Sequence, residues 1–132
     1  GTVIAHAMFG LPLLEASMKV RTGGAQWFAE VVASFGLIAT ILAGLRFERA
    51  SVPWLVGLYI TAAYWFTAST SFANPAVAVA RSLTNTFSGI RPHDLAGFIA
   101  AEICGAVLGL VTIGWLLRGA DDGATLAKEA QL

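Results

Sequence analysis

Apolar positions in this chain are gathered into long unbroken runs. Ala25 to Leu45 reads AQWFAEVVASFGLIATILAGL, in which Glu30 alone is charged. Val52 to Thr70 reads VPWLVGLYITAAYWFTAST and carries no charge. Leu95 to Leu117 reads LAGFIAAEICGAVLGLVTIGWLL, with a charge only at Glu102. A bilayer's hydrocarbon is about 30 Å thick, and a helix needs roughly 20 apolar residues to cross it. The pattern therefore predicts three membrane-spanning helices over 25–45, 52–70 and 95–117. The polar joints agree. Arg46, Glu48, Arg49 and Ser51 separate the first two runs, and Pro53 suits the first turn of the second. Asp94 is placed to cap the third, and Arg118 to answer its negative C-terminal dipole. Residues 1–14 are apolar but too short to span, and read as the tail of a helix whose earlier part lies outside this chain. Glu15 to Gly24 reads as a polar loop, and 119–132 as a polar C-terminal tail.

Composition strengthens this picture. Of 132 residues, 57% are hydrophobic and 12% charged, with a mean hydropathy of +0.73. Soluble domains run near 25% charged, and a domain this small could not bury so much apolar surface. Disorder is excluded by the same excess. Eight basic residues balance eight acidic ones, which argues against nucleic acid as a partner. A single cysteine, Cys104, excludes a disulfide scaffold. His6 and His93 share no ligand spacing, so no metal and no cofactor is expected, and no catalytic constellation suggests an enzyme. The class is an all-α, multi-pass integral membrane protein with the lipid bilayer as its solvent. Basic residues divide evenly between the two sides, so charge does not set orientation.

The stretch SFANPAVAVARSLTNTFSGIRPHD, between the second and third runs, is long for a helix connection. Asn74 is a good N-cap, Pro75 suits the first helical position, and Gly89 and Pro92 are natural stops beyond them. The spacing predicts a short helix over 75–88, about 20 Å long and too short to cross. If its flanking spans are antiparallel neighbours, it starts and ends on one membrane face. A re-entrant segment of that kind is tolerated only where it lines a watery cavity or is covered by protein.

Asn74-Pro75-Ala76, followed by a small apolar half-helix, resembles the signature of the aquaporin or major intrinsic protein family. FAEVVASFGL resembles that family's Glu-x-x-x-Ser/Thr-Phe pattern, and FIAAEICGAVLG its small-residue closing helix. The resemblance covers about Val3 to Leu117. A full member carries six spans and two such motifs as inverted repeats, whereas this sequence has one motif, three spans and a stub. It is therefore similar to the C-terminal, aquaglyceroporin-like half (1–118). The resemblance implies a missing N-terminal half or a second half-channel as partner, a homotetramer of complete units, and a bacterial inner membrane.

The resemblance also implies roles. Asn74 would donate its amide to a passing solute while capping the half-helix. A helix N-terminus of about +0.5 charge, at ~5 Å and an effective dielectric of ~20, repels a monovalent cation by roughly 1.7 kcal/mol. Stripping water from an ion costs several kcal/mol more, so neutral solutes pass and ions do not. Glu30 would brace the re-entrant loop through backbone N–H groups; an ion-pathway role and snorkelling to the interface are its alternatives. Glu102 supports the same loop or faces a missing helix. The family places an arginine directly after the motif, but Val77 stands there and Arg81 comes one turn later, to line the outer pore or pair outside it. Ser71 and either Tyr64 or Ala62 would complete the filter. Such a channel would pass small neutral solutes, water among them, and a wider, less polar filter favours those larger than water, such as glycerol, urea or neutral metalloid hydroxides like arsenous acid. Gly105 and Gly109 form a small-xxx-small packing pattern, which Gly57 could share. The aromatics Trp54, Tyr59, Tyr64, Trp65 and Phe66 read as an interface belt or a lipid-facing stripe. Two other classes compete with the channel: a non-conducting assembly subunit, and a secondary transporter with a broken helix.

Overall fold

The computed structural model describes the backbone of residues 1–129 and the side chains through Arg118. Five α-helices follow in order: α1 (Thr2–Met8), α2 (Gly24–Phe47), α3 (Val52–Phe66), α4 (Pro75–Arg81) and α5 (Leu95–Glu129). Short 3-10 turns precede α3 and α5. The described residues are otherwise turns and extended chain. Among the described residues, two segments are long and apolar enough to cross a membrane, Gly24–Phe47 and Pro92–Arg118.

Four helix boundaries depart from the sequence reading, the first three for a local reason. The stub expected over 1–14 is helical only to Met8. Gly10 turns left-handed at φ +65°, Leu11 N–H donates back to His6 O at 2.9 Å, and Pro12 comes next. The second span, expected to Thr70, ends at Phe66. Thr67 is extended, and its hydroxyl donates to Ala63 O at 2.7 Å. The run Thr67, Ser69, Thr70, Ser71 offers the backbone competing partners that an uncharged, apolar-looking window conceals. At 15 residues α3 is about 22 Å long. The short helix expected over 75–88 stops at Arg81, where the Ser82 hydroxyl donates to Val79 O at 2.7 Å. The last helix passes its expected stop at Leu117 and continues to Glu129. The backbone of the tail expected at 119–132 is thus helical to Glu129; its final three residues, and every side chain after Arg118, lie outside the described residues.

The core is a layer of helices closed by small residues. α2 packs along both α5 and α3, and α4 packs on α5. A Cβ at Gly105 would run into the Val31 carbonyl, and one at Gly109 would sit 3.0 Å from Phe35 O. The pairs 105–31 and 109–35 advance together, so α2 and α5 run parallel. Tyr59 donates to Ala33 O at 2.9 Å, while Val52 and Leu55 meet Gly44, so α3 runs antiparallel to α2. Gly57 meets nothing and takes no part in this packing. The outer faces carry large apolar side chains, among them Trp54 (77% exposed) and Trp65 (87%). That distribution suits lipid on the outside. Tyr59 and Tyr64 leave the expected aromatic belt and turn toward polar partners.

Residues 15–21, expected as a solvated loop, form a strap. Ser17 N–H donates to Ser82 O at 2.9 Å, Met18 N–H to Asn85 Oδ1 at 3.0 Å, and Lys19 O accepts from Arg91 N–H at 2.7 Å. Ser17 and Arg21 are buried as a result.

Candidate functional site

The chain between α3 and α4 carries an unusual backbone. Thr70, Ser71 and Ala73 have φ of 65°, 47° and 51°, the left-handed region that costs a non-glycine residue about 1–2 kcal/mol. Two buried charged residues hold it. Glu30, fully buried in α2, accepts Phe72 N–H on Oε1 at 2.9 Å and Ala73 N–H on Oε2 at 2.8 Å. Arg21 donates to Ser69 O at 2.9 Å, to Phe87 O at 2.8 Å and to Gly89 O at 2.7 Å. Those carbonyls lie on both sides of α4, so one guanidinium ties the chain entering that helix to the chain leaving it. Burial, and then the charge of Arg81, push the Arg21 guanidinium below its ordinary value.

Asn74 caps α4 with an extended backbone; its Oδ1 accepts Ala76 N–H at 2.8 Å. Asn74, Pro75 and Ala76 are exposed. With its oxygen used in the cap, the exposed Asn74 amide still has its NH2 donors to offer. Glu102 is 1% exposed, so it does not face outward. It sits beside Glu30 and the Asn74 backbone N–H, and neither of its oxygens makes a well-formed hydrogen bond.

The filter candidates divide. Val77 is half-buried and packs against the cluster of Phe72, Ala78, Ile90 and Phe98. Ser71 is buried together with its hydroxyl, so its side chain reaches no open face. Tyr64 is the register candidate that meets Arg81, whose Cζ lies 5.4 Å from the Tyr64 ring centre; Ala62 is exposed elsewhere on α3. Arg81 also lies over Phe72, at 4.3 Å, and its Nη1 has no hydrogen-bond partner. With His6, Thr84, Phe87 and Ser88 it lines an open cavity of about 620 Å³. Asp94 does not act as a simple cap. Its carboxylate accepts Arg21 N–H at 2.9 Å and an Arg91 guanidinium N–H at 2.8 Å.

Two contributors escape a reading of the sequence. Arg21 stands in what looks like a solvated loop, and one basic residue there gives no sign of burial. His6 is buried, bonded to Thr84 Oγ1 at 2.7 Å and to Pro12 O, and so pins α1 to the chain leaving α4.

Neither a family model nor a solved structure matches the sequence. Aquaglyceroporin AqpS of Rhizobium meliloti (strain 1021) is 72% identical over 120 residues. The chain belongs to the aquaporin family. The matched region covers 91% of this chain and 52% of AqpS, so the chain spans about half the length of the curated relative it matches. In this half the left-handed approach to Asn74 is held by Glu30 from within α2 and by Arg21 from the strap.

Proposed function

We propose that this chain forms one half of a transmembrane channel that passes small neutral solutes passively and excludes ions, and that a complementary half completes the pore. The observation that carries the reading is the bidentate grip of Glu30 on Phe72 and Ala73. Glu30 lies six residues into α2, about 9 Å along its axis. Glu102, beside Asn74, lies seven residues into the parallel helix α5, about 10 Å along. Because α3 is antiparallel to α2, it ends at the face where α2 and α5 begin. The chain thus leaves α3 at that face, returns inward to Asn74, and runs back through α4 to the start of α5. This supports a re-entrant half-helix, with α3 as a third, short span. It also supports Glu30 and Glu102 as braces of the loop.

An exposed amide at that depth, on irregular backbone, suits a wet passage. It can donate to a hydroxyl, whereas an ion loses its hydration and meets the positive end of α4. Where the family's usual arginine would come after the motif, Val77 leaves a less polar lining, with Arg81 and Tyr64 one turn along. That favours solutes larger than water, glycerol first and uncharged metalloid hydroxides next. The bilayer, a tetramer of complete units and a bacterial inner membrane belong to the same proposal.

Stopped-flow light scattering on proteoliposomes holding the assembled channel tests it. Glycerol flux that rises linearly with the gradient, without proton leak, is expected. A vesicle no more permeable than bare lipid would leave the non-conducting subunit standing, and saturable, ion-coupled uptake would indicate the transporter.

A further inference from the structure

Resting on the channel reading, we propose that Arg21 is a specificity-positioning residue: it fixes where Arg81 stands, and so how wide the passage is beside Tyr64. The two guanidinium groups lie over the same ring. Arg21 Cζ is 5.2 Å from the Phe72 centroid and Arg81 Cζ 4.3 Å. Their anchorage is unequal. Arg21 is buried, with Nε, Nη1 and Nη2 each spent on a different backbone carbonyl. Arg81 lies against two rings, lines the open cavity, and has Nη1 unpartnered. Two like charges over one ring repel, and only the loosely held one can yield. The fixed cation therefore keeps Arg81 off the carbonyls of Ser69, Phe87 and Gly89, which would otherwise draw its spare donors, and holds it on the Tyr64 side.

The direction of the effect is set by that asymmetry. With Arg21→Gln the charge is gone and most of the three carbonyls lose their donor. Arg81 then moves toward them and withdraws from the cavity, so the passage widens. With Arg21→Lys the charge remains and at least one carbonyl is served, so Arg81 stays put. Phe72→Leu keeps the Arg21 bonds in place while removing the shared ring, and provides a second variant if Arg21→Gln folds poorly.

The measurement is the glycerol-to-water permeability ratio of the assembled channel in proteoliposomes. A ratio does not depend on how much protein inserts. Arg21→Gln is expected to raise the ratio about threefold or more, a size typical of coupling between contacting residues. Arg21→Lys should keep most of the wild-type ratio, and Phe72→Leu, which leaves the fixed charge and its carbonyl bonds in place, should not raise it; a rise there would overturn the proposal. In an Arg81→Gln background, Arg21→Gln should change nothing further. A ratio that stays at the wild-type value while total flux falls would overturn the proposal and leave Arg21 a structural clamp. An equal rise in the Arg81→Gln background would overturn it too, because the effect would not pass through Arg81. A wild-type channel that conducts nothing takes down the channel reading and this one together, and differs from either result.

Discussion

Replacing Glu30 by Gln keeps the side chain's shape and removes its charge. Two buried N–H groups now share one carbonyl oxygen, and the amide NH2 faces the other donor. Hydrogen bonds to a charged group contribute about 1.5–3 kcal/mol each, and a neutral one about 1 kcal/mol. Two charged bonds at 2.9 and 2.8 Å thus become one neutral bond and one unsatisfied donor, a loss of about 2–5 kcal/mol. Local relaxation of the loop recovers part of this, which puts the expected loss at about 2–3 kcal/mol. The left-handed residues Thr70, Ser71 and Ala73 store about 3–6 kcal/mol, so the bonds lost are comparable with the strain they oppose. The segment should therefore open locally before the helices separate. Amide hydrogen exchange on the protein in bicelles reads this directly. At 1.36 kcal/mol per factor of ten, the Phe72 and Ala73 amides should exchange about 30- to 160-fold faster. Amides in the middle of α2 and α5 should stay near wild type. Exchange at Phe72 and Ala73 within about twofold of wild type would refute the reasoning, since those bonds would then not be what holds the loop.

Three further substitutions probe separate links. Asn74→Asp keeps the cap acceptor for Ala76 N–H but replaces the donor NH2 by a carboxylate oxygen; glycerol flux should fall and cation leak rise while helix content by circular dichroism is kept. Gly105→Ala puts a methyl against the Val31 carbonyl and should cost about 1–3 kcal/mol, read as a lower thermal midpoint in detergent, whereas Gly57→Ala meets nothing and should leave it level or raise it slightly. Val77→Arg should lower the glycerol-to-water permeability ratio, because a guanidinium would stand where Val77 leaves a short apolar side chain; an unchanged ratio would remove the wide-filter reading.

How far the sequence carries is set by the range of the forces involved. The positions of α2 and α5 come from hydropathy, because a run of apolar residues is a local fact. The start of α4 at Pro75 is equally local, since the Asn74 cap and the proline act within two residues. The ends of α3 and α4 are hidden because hydroxyl-rich turns carry no charge and look apolar in a span-length window. Ser82 ends α4 through its own hydroxyl, well before Gly89 and Pro92. A resemblance can assign Glu30 to the loop, but composition cannot, because its partners lie 42 and 43 positions away. Arg21 is out of reach for the same reason. Its carbonyl partners lie 48, 66 and 68 positions on, and nothing in the residues around it records them.

That contrast bears on how the site works. The residues named by the motif, Asn74 to Ala76, are exposed and carry little of the load that shapes their own segment. Glu30 supplies the acceptors for its N–H groups, Arg21 the donors for its carbonyls, and Phe72 lies between them, its ring tilted against that of Phe98 with centres 5.2 Å apart. An anion and a cation held on opposite kinds of backbone group leave neither charge with a stranded partner. They also fix the peptide planes from both edges, which is how three left-handed residues persist without a glycine among them. A channel that selects by size needs that rigidity, because a passage whose wall can relax would admit whatever pushes it open. If so, selectivity should be lost through Glu30 and Arg21 at smaller perturbations than through the motif itself.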